Sequence, residues 1–131
     1  MQSLQERIDT LGIRATVKEG SDKWPPFELM PGSTSWTVTL RLDGRRMTTP
    51  FYQGPALTEP PTVANVLDCM LSDASIIENA PEWRDFAAEC GYDPDSLSGY
   101  QTWQAATRQT KGLRRFLGEH YEALVWDTER L

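Results

Sequence analysis

Trp36, Val38, Leu40 and Leu42 occupy alternate positions, with Thr37, Thr39 and Arg41 between them. Successive side chains of a strand point to opposite faces, so this period of two buries one face and leaves the other wet. Asp43-Gly44 follows at once. A two-residue type I′ turn needs positive φ at both central positions, which Asp tolerates and Gly adopts freely, so the chain doubles back here. The return strand runs from Arg45 to Tyr52, with Met47, Thr49 and Phe51 toward the core. Pro50 has no N–H to give a ladder, which puts this strand at a sheet edge. A hairpin alone is marginal in water; it needs a third strand and an apolar cover.

Both are written nearby. Ile13, Ala15 and Val17 alternate with Arg14, Thr16 and Lys18, giving a third strand. Ahead of it, Ser3 and Glu6 have the spacing of a capping box, Leu4, Ile8 and Leu11 share a face, and Gly12 supplies a left-handed stop. These signals predict a helix over residues 4–11. The outward face of the resulting antiparallel meander shows Arg14, Lys18, Arg41 and Arg46 among threonines, either a solvated sheet face or a modest basic patch. Between the first two strands, Pro25-Pro26 and Pro31-Gly32 interrupt any pattern, predicting a long loop. Trp24 and Phe27 in it are expected to fold back as a lid, or to form a contact patch.

After Pro60-Pro61-Thr62 the period changes. Val63, Val66, Leu67, Met70 and Leu71 form a helical stripe, with Asp68 and Asp73 off it and Ile76 and Ile77 extending it. Pro81 suits a first helical position, and Trp83, Phe86, Ala87 and Cys90 line one face of the helix that ends at Gly91. Asp93-Pro94-Asp95-Ser96 is a turn, with Asp95 or Ser96 capping a long helix through Tyr100, Trp103, Ala106, Leu113, Phe116 and Leu117. Gly118 interrupts it, and Tyr121, Leu124, Val125 and Trp126 form a last short helix. The expectation is a single α+β domain over residues 1–131: a short N-terminal helix, a three-stranded antiparallel meander, then three to four C-terminal helices packed on one sheet face.

Composition narrows the function classes. Two Cys, one His and no apolar run near ~18 residues exclude a disulfide scaffold, a zinc ribbon and a membrane span. The N-terminus lacks the pattern of a signal peptide, and the expected location is the cytoplasm of a bacterial host. Cys69 and Cys90 fall on apolar helix faces and read as small, reduced core residues. A core role is expected for at least four of the five Trp.

The net charge is −6, unevenly spread. Residues 55–105 hold nine acids against Arg84 alone, whereas the flanking segments each carry one excess base. Asp68, Asp73, Glu78, Glu82, Asp85, Glu89, Asp93 and Asp95 make up the helical part of this stretch. It reads as a solvated face or as a negative surface that meets a basic partner.

Catalytic chemistry finds no foothold in the residue pattern. Cys69, Cys90 and His120 have no metal-ligand spacing, His120 has no orienting neighbour for a triad, and there is no phosphate-cradling glycine loop. Asp93 and Asp95 flank a proline and read as turn chemistry rather than a metal pair. We therefore expect no enzyme activity, cofactor, metal, small-molecule substrate or membrane partner. The element order is superficially that of a double-stranded-RNA-binding domain, but helices that begin acidic, at Glu59, Asp68 and Glu82, repel phosphate.

Several segments carry a resemblance: Phe51-Tyr52-Gln53-Gly54, Glu59 through Ala74, Glu78-Asn79-Ala80, Glu89 through Ser96, and Leu113 through Gly118. They resemble a family of small uncharacterised proteins of bacteriophages, prophages and other mobile elements, over most of residues 35–118. Family members carry an Arg-Lys pair after the Asp-Ser, where this chain has Leu97-Ser98. The resemblance implies a phage setting, in which counter-defence is a natural occupation and anti-CRISPR proteins are often small and acidic. The expected function is an anti-CRISPR-like inhibitor that binds a host CRISPR–Cas effector through the eight carboxylates above. The alternative is a nucleic-acid-binding accessory protein using Arg14, Lys18, Arg41 and Arg46 with the helix carrying Arg108, Lys111, Arg114 and Arg115.

Overall fold

A computed structural model describes residues 3–20, 32–57 and 59–127. The order is α1 (Leu4–Leu11), β1 (Arg14–Glu19), β2 (Thr34–Leu42), β3 (Arg45–Gln53), α2 (Val63–Asn79), α3 (Trp83–Cys90), α4 (Leu97–Leu117) and α5 (Tyr121–Val125), with a 3-10 turn over Gly118–His120. The α+β class expected from the pattern is thus the observed one. The described residues divide into two compact units, one within 3–68 and the other 69–127, with α2 running from the first into the second.

In the first unit, α1 forms as its caps dictate. Ser3 Oγ accepts from the Glu6 amide at 3.2 Å, and Glu6 Oε1 accepts from the Ser3 amide at 3.2 Å. Gly12 closes the helix at φ 80°, and Leu4 and Ile8 are buried. The three strands lie in the order β1-β2-β3, both pairs antiparallel. Asp43 and Gly44 both take positive φ, 49° and 78°, the turn the sequence demands. Trp36, Val38, Leu40 and Leu42 are all buried on the inner face. There the Trp36 indole N–H donates to Gln53 Oε1 at 2.9 Å, so both polar groups enter the core satisfied. The edge position of β3 explains how Pro50 is accommodated at its pairing with Thr37. Trp24 and Phe27 lie outside the described residues.

The second unit is helical. Val66 and Leu67 begin the α2 stripe, and Met70, Leu71, Ala74 and Ile77 continue it buried into this unit. Thr62 Oγ1 accepts from the Asn65 amide at 3.1 Å and so caps α2 one residue before its start. Ser96 Oγ does the same for α4, accepting from the Gly99 amide at 3.1 Å. Helix α3 starts at Trp83 with Glu82 at its cap, two residues beyond the expected Pro81. Five rings lock α3 to α4: Trp83 packs edge-on to Tyr100 at 5.6 Å and meets Trp103, Phe86 and Tyr92 at 6.4 Å each. The indoles tie down the flanking loops, Trp83 N–H to the Pro94 carbonyl and Trp103 N–H to that of Pro81.

Two expectations about the core fail. Cys69 and Cys90 are exposed, because Cys69 lies beside the α2 stripe and Cys90 is the last residue of an eight-residue helix. Of the four described Trp, only Trp36 is buried; Trp83 and Trp103 are half-buried and Trp126 is 46% exposed. Trp126 follows the end of α5, where its indole N–H donates to Glu122 on the surface at 2.9 Å.

Candidate interaction surfaces

The eight carboxylates do not form one surface. Asp68, Asp73 and Glu78 recur every five residues along α2, a step of about 140° around a helix, so they point in three directions. Asp68 is half-buried. Asp73 is exposed, yet partial desolvation holds its carboxyl above the usual carboxylate range.

Glu78 is consumed inside the fold. It forms an ion pair with Arg114 of α4 and accepts the Tyr121 hydroxyl of α5 at 2.8 Å. The Arg114 guanidinium also lies 5.2 Å from the centroid of the Tyr121 ring, over its face. Desolvation first, then the hydrogen bond to Glu78 and its negative charge, push the Tyr121 phenol up to about 12. One carboxylate therefore joins α2, α4 and α5. Nothing in the local sequence signals this, since Glu78 and Tyr121 are 43 residues apart.

At α3 the carboxylates are available. Glu82 at the N-cap and Asp85 and Glu89 at i and i+4 within the helix are exposed, and none has an ion-pair or hydrogen-bond partner for its side chain among the described residues. The Cys90 thiol is pushed up by partial desolvation and by the charges of Glu89 and Asp73, which places Asp73 of α2 in the same neighbourhood. Asp93 accepts from the Asp95 amide at 2.8 Å, the turn geometry read from the sequence, and both residues are exposed. Leu97, next in the chain after Ser96, is 69% exposed.

The cations divide in the same way. Arg114 is taken by Glu78, while Arg108, Lys111 and Arg115 are exposed along α4. On the sheet, Arg14, Lys18, Arg41 and Arg46 are all exposed on the outward face. Among the described residues no three His, Cys, Asp or Glu side chains come together as a metal site. His120 is half-buried, with Nε2 3.7 Å from Glu119. No described helix is long and apolar enough to cross a membrane.

The class these features define is an α+β chain that carries free charge of opposite sign on different elements. No protein-family model matches the chain, and no curated protein or solved structure matches it.

Proposed function

We propose that the protein is a non-enzymatic inhibitor of phage or mobile-element origin, acting on a host CRISPR–Cas effector complex in the cytoplasm. It docks through the carboxylates of α3 onto a Lys/Arg-lined surface that otherwise holds nucleic acid. The observation that carries this reading is the set Glu82, Asp85 and Glu89, exposed from the N-cap of α3 through its second turn without a cationic partner among the described residues. Asp93 and Asp95, in the turn that follows α3, are exposed as well, whereas Glu78 is engaged by Arg114 and Tyr121. A set of fixed carboxylates competes with phosphates for the same cations, and such association is fast, steered and weakened by salt. The resemblance, over most of residues 35–118, to small proteins of phages, prophages and other mobile elements supports the setting.

The test is an interference assay in cells whose CRISPR–Cas system targets a plasmid or phage. The wild-type chain restores plasmid maintenance, and Glu82→Lys/Asp85→Lys/Glu89→Lys abolishes the effect with an unchanged unfolding midpoint. Full inhibition by the charge-reversed variant refutes this reading.

A further inference from the structure

The strand register places on the outward face of the sheet an arrangement that local sequence does not reveal. Arg14 of β1 stands opposite Arg41 of β2, and Arg41 stands opposite Arg46 of β3. Three guanidinium groups thus form a single row across every strand. The next row on this face is Thr16, Thr39 and Thr48, and the one after is Lys18, Thr37 and Pro50. With strands about 4.8 Å apart the arginine row spans about 10 Å, and Lys18 lies about 13 Å further along β1. None of the four cations has a carboxylate or hydrogen-bond partner among the described residues.

A merely solvated face has no reason to look like this. Like charges directly opposed across strands destabilise a sheet, and here the conflict occurs twice in one row. No position facing outward on the three strands is acidic: the remainder are Ser35, Thr37, Thr39, Thr16, Thr48, Pro50 and Tyr52. Three of the hydroxyls are already engaged. Thr37 Oγ1 donates to the Gly20 carbonyl at 2.6 Å, and the Thr39 and Thr48 hydroxyls bond each other at 3.3 Å. What reaches furthest outward is guanidinium and ammonium, donors whose fork and point charge suit phosphate oxygens.

We propose that this sheet face docks the phosphate backbone of duplex DNA without reading its sequence. Surfaces for single strands pair cations with stacking rings, but among the described residues the only aromatic ring at an outward strand position, Tyr52, is about 20 Å from the arginine row. Discrimination of RNA rests on its 2′-hydroxyl, and among the described residues the outward strand positions offer no carboxylate or carboxamide for it, only short hydroxyls such as Thr16 and Ser35 beneath the longer cations, so the phosphates rather than the sugars are what the face reaches. The site uses none of the α3 carboxylates, so it goes beyond the inhibitor reading and fails independently of it.

The experiment is fluorescence anisotropy of the full chain with a labelled 20-base-pair duplex DNA of mixed sequence, from 25 to 200 mM NaCl. Engagement of three to four phosphates gives a slope of log K against log salt of about −3 to −4. Arg14→Gln/Arg41→Gln/Arg46→Gln is expected to lose at least about tenfold in affinity at 50 mM salt and to flatten the slope to about −1. Its urea midpoint should equal or exceed that of the wild type, because the opposed charges are gone. Absence of binding at 25 mM salt, or equal binding by the triple variant, overturns the proposal. Tighter binding of the single strand or of duplex RNA of equal length overturns the assignment to duplex DNA. Salt-sensitive self-association that the triple variant loses, without DNA binding, assigns the face instead to the acidic helix of a second copy and overturns it too.

Discussion

Replacing Tyr121 by Phe removes one hydroxyl from the junction of α2, α4 and α5, and the effect should depend on pH in a calculable way. In the folded chain the phenol donates to Glu78 at 2.8 Å and is pushed from its ordinary 10.0 up to about 12. A folded-state pKa raised above the unfolded value means that stability is fully present below pH 10 and is lost as pH rises through 12. Two units correspond at most to about 2.7 kcal/mol. Because Arg114, which shares Glu78, is half exposed, solvent screens the junction and about 1–2 kcal/mol is the better figure. At pH 8 the variant loses the hydrogen bond but leaves Glu78 paired with Arg114, for a net cost of about 1 kcal/mol. Urea unfolding at unit steps from pH 8 to 12 measures both. The wild type should lead by about 1 kcal/mol at pH 8, and the lead should vanish or reverse by pH 12. Every other ionisable group is common to both chains and cancels in the difference. A gap that stays constant from pH 8 to 12 refutes the assignment of the alkaline limb to Tyr121.

Further substitutions probe the other contacts. A Cβ at Gly99 would meet the Tyr92 ring at 2.9 Å and Trp83 at 3.0 Å, so Gly99→Ala should lower stability by about 1–2 kcal/mol in urea unfolding despite Ala's better helix propensity. Ser96→Ala removes the α4 cap and should cost about 1 kcal/mol by the same measurement. In a Cys69→Ser background, Cys90 should alkylate with iodoacetamide more slowly than a free cysteine at pH 7.5, because its thiolate is disfavoured. Glu89→Gln should quicken the reaction by removing one of the charges responsible.

What was legible in the sequence follows the range of the interaction. Asp43-Gly44 fixes a turn within four residues, and the Ser3–Glu6 reciprocal cap fixes a helix start within three, so both were readable and both are found. That two-residue turn also sets Arg41 opposite Arg46. Nothing local sets Arg14 opposite Arg41, since fourteen residues separate β1 from β2 and loop length of that order imposes no register. Four cations on one outward face were therefore legible, but not the single row that three of them form. Glu78 failed as a surface residue for the same reason: its partners come from α4 and α5, and no periodicity along α2 announces them. Cys69 and Cys90 failed differently. Helical periodicity assigns a face but not a cover, and a residue at a stripe's margin or a helix end can share the apolar side and stay wet.

The arginine row sets stability against function in a way that one substitution decides. Arg41 is opposed by a like charge on both sides, Arg14 and Arg46, so Arg41→Gln relieves two repulsive pairs at once. Cross-strand pairs are worth about 0.2–1 kcal/mol each, so the variant should gain up to about 1 kcal/mol once exposure and salt are allowed for. Residues whose removal stabilises a protein are common where a surface is shaped for a partner rather than for folding. If Arg41→Gln both raises the urea midpoint and weakens duplex binding, the two effects have one cause, the concentration of positive charge in the row. If it leaves the midpoint unchanged at low salt, the guanidinium groups are too far apart or too well hydrated to repel one another, and the row is no denser a phosphate site than any lysine-bearing surface.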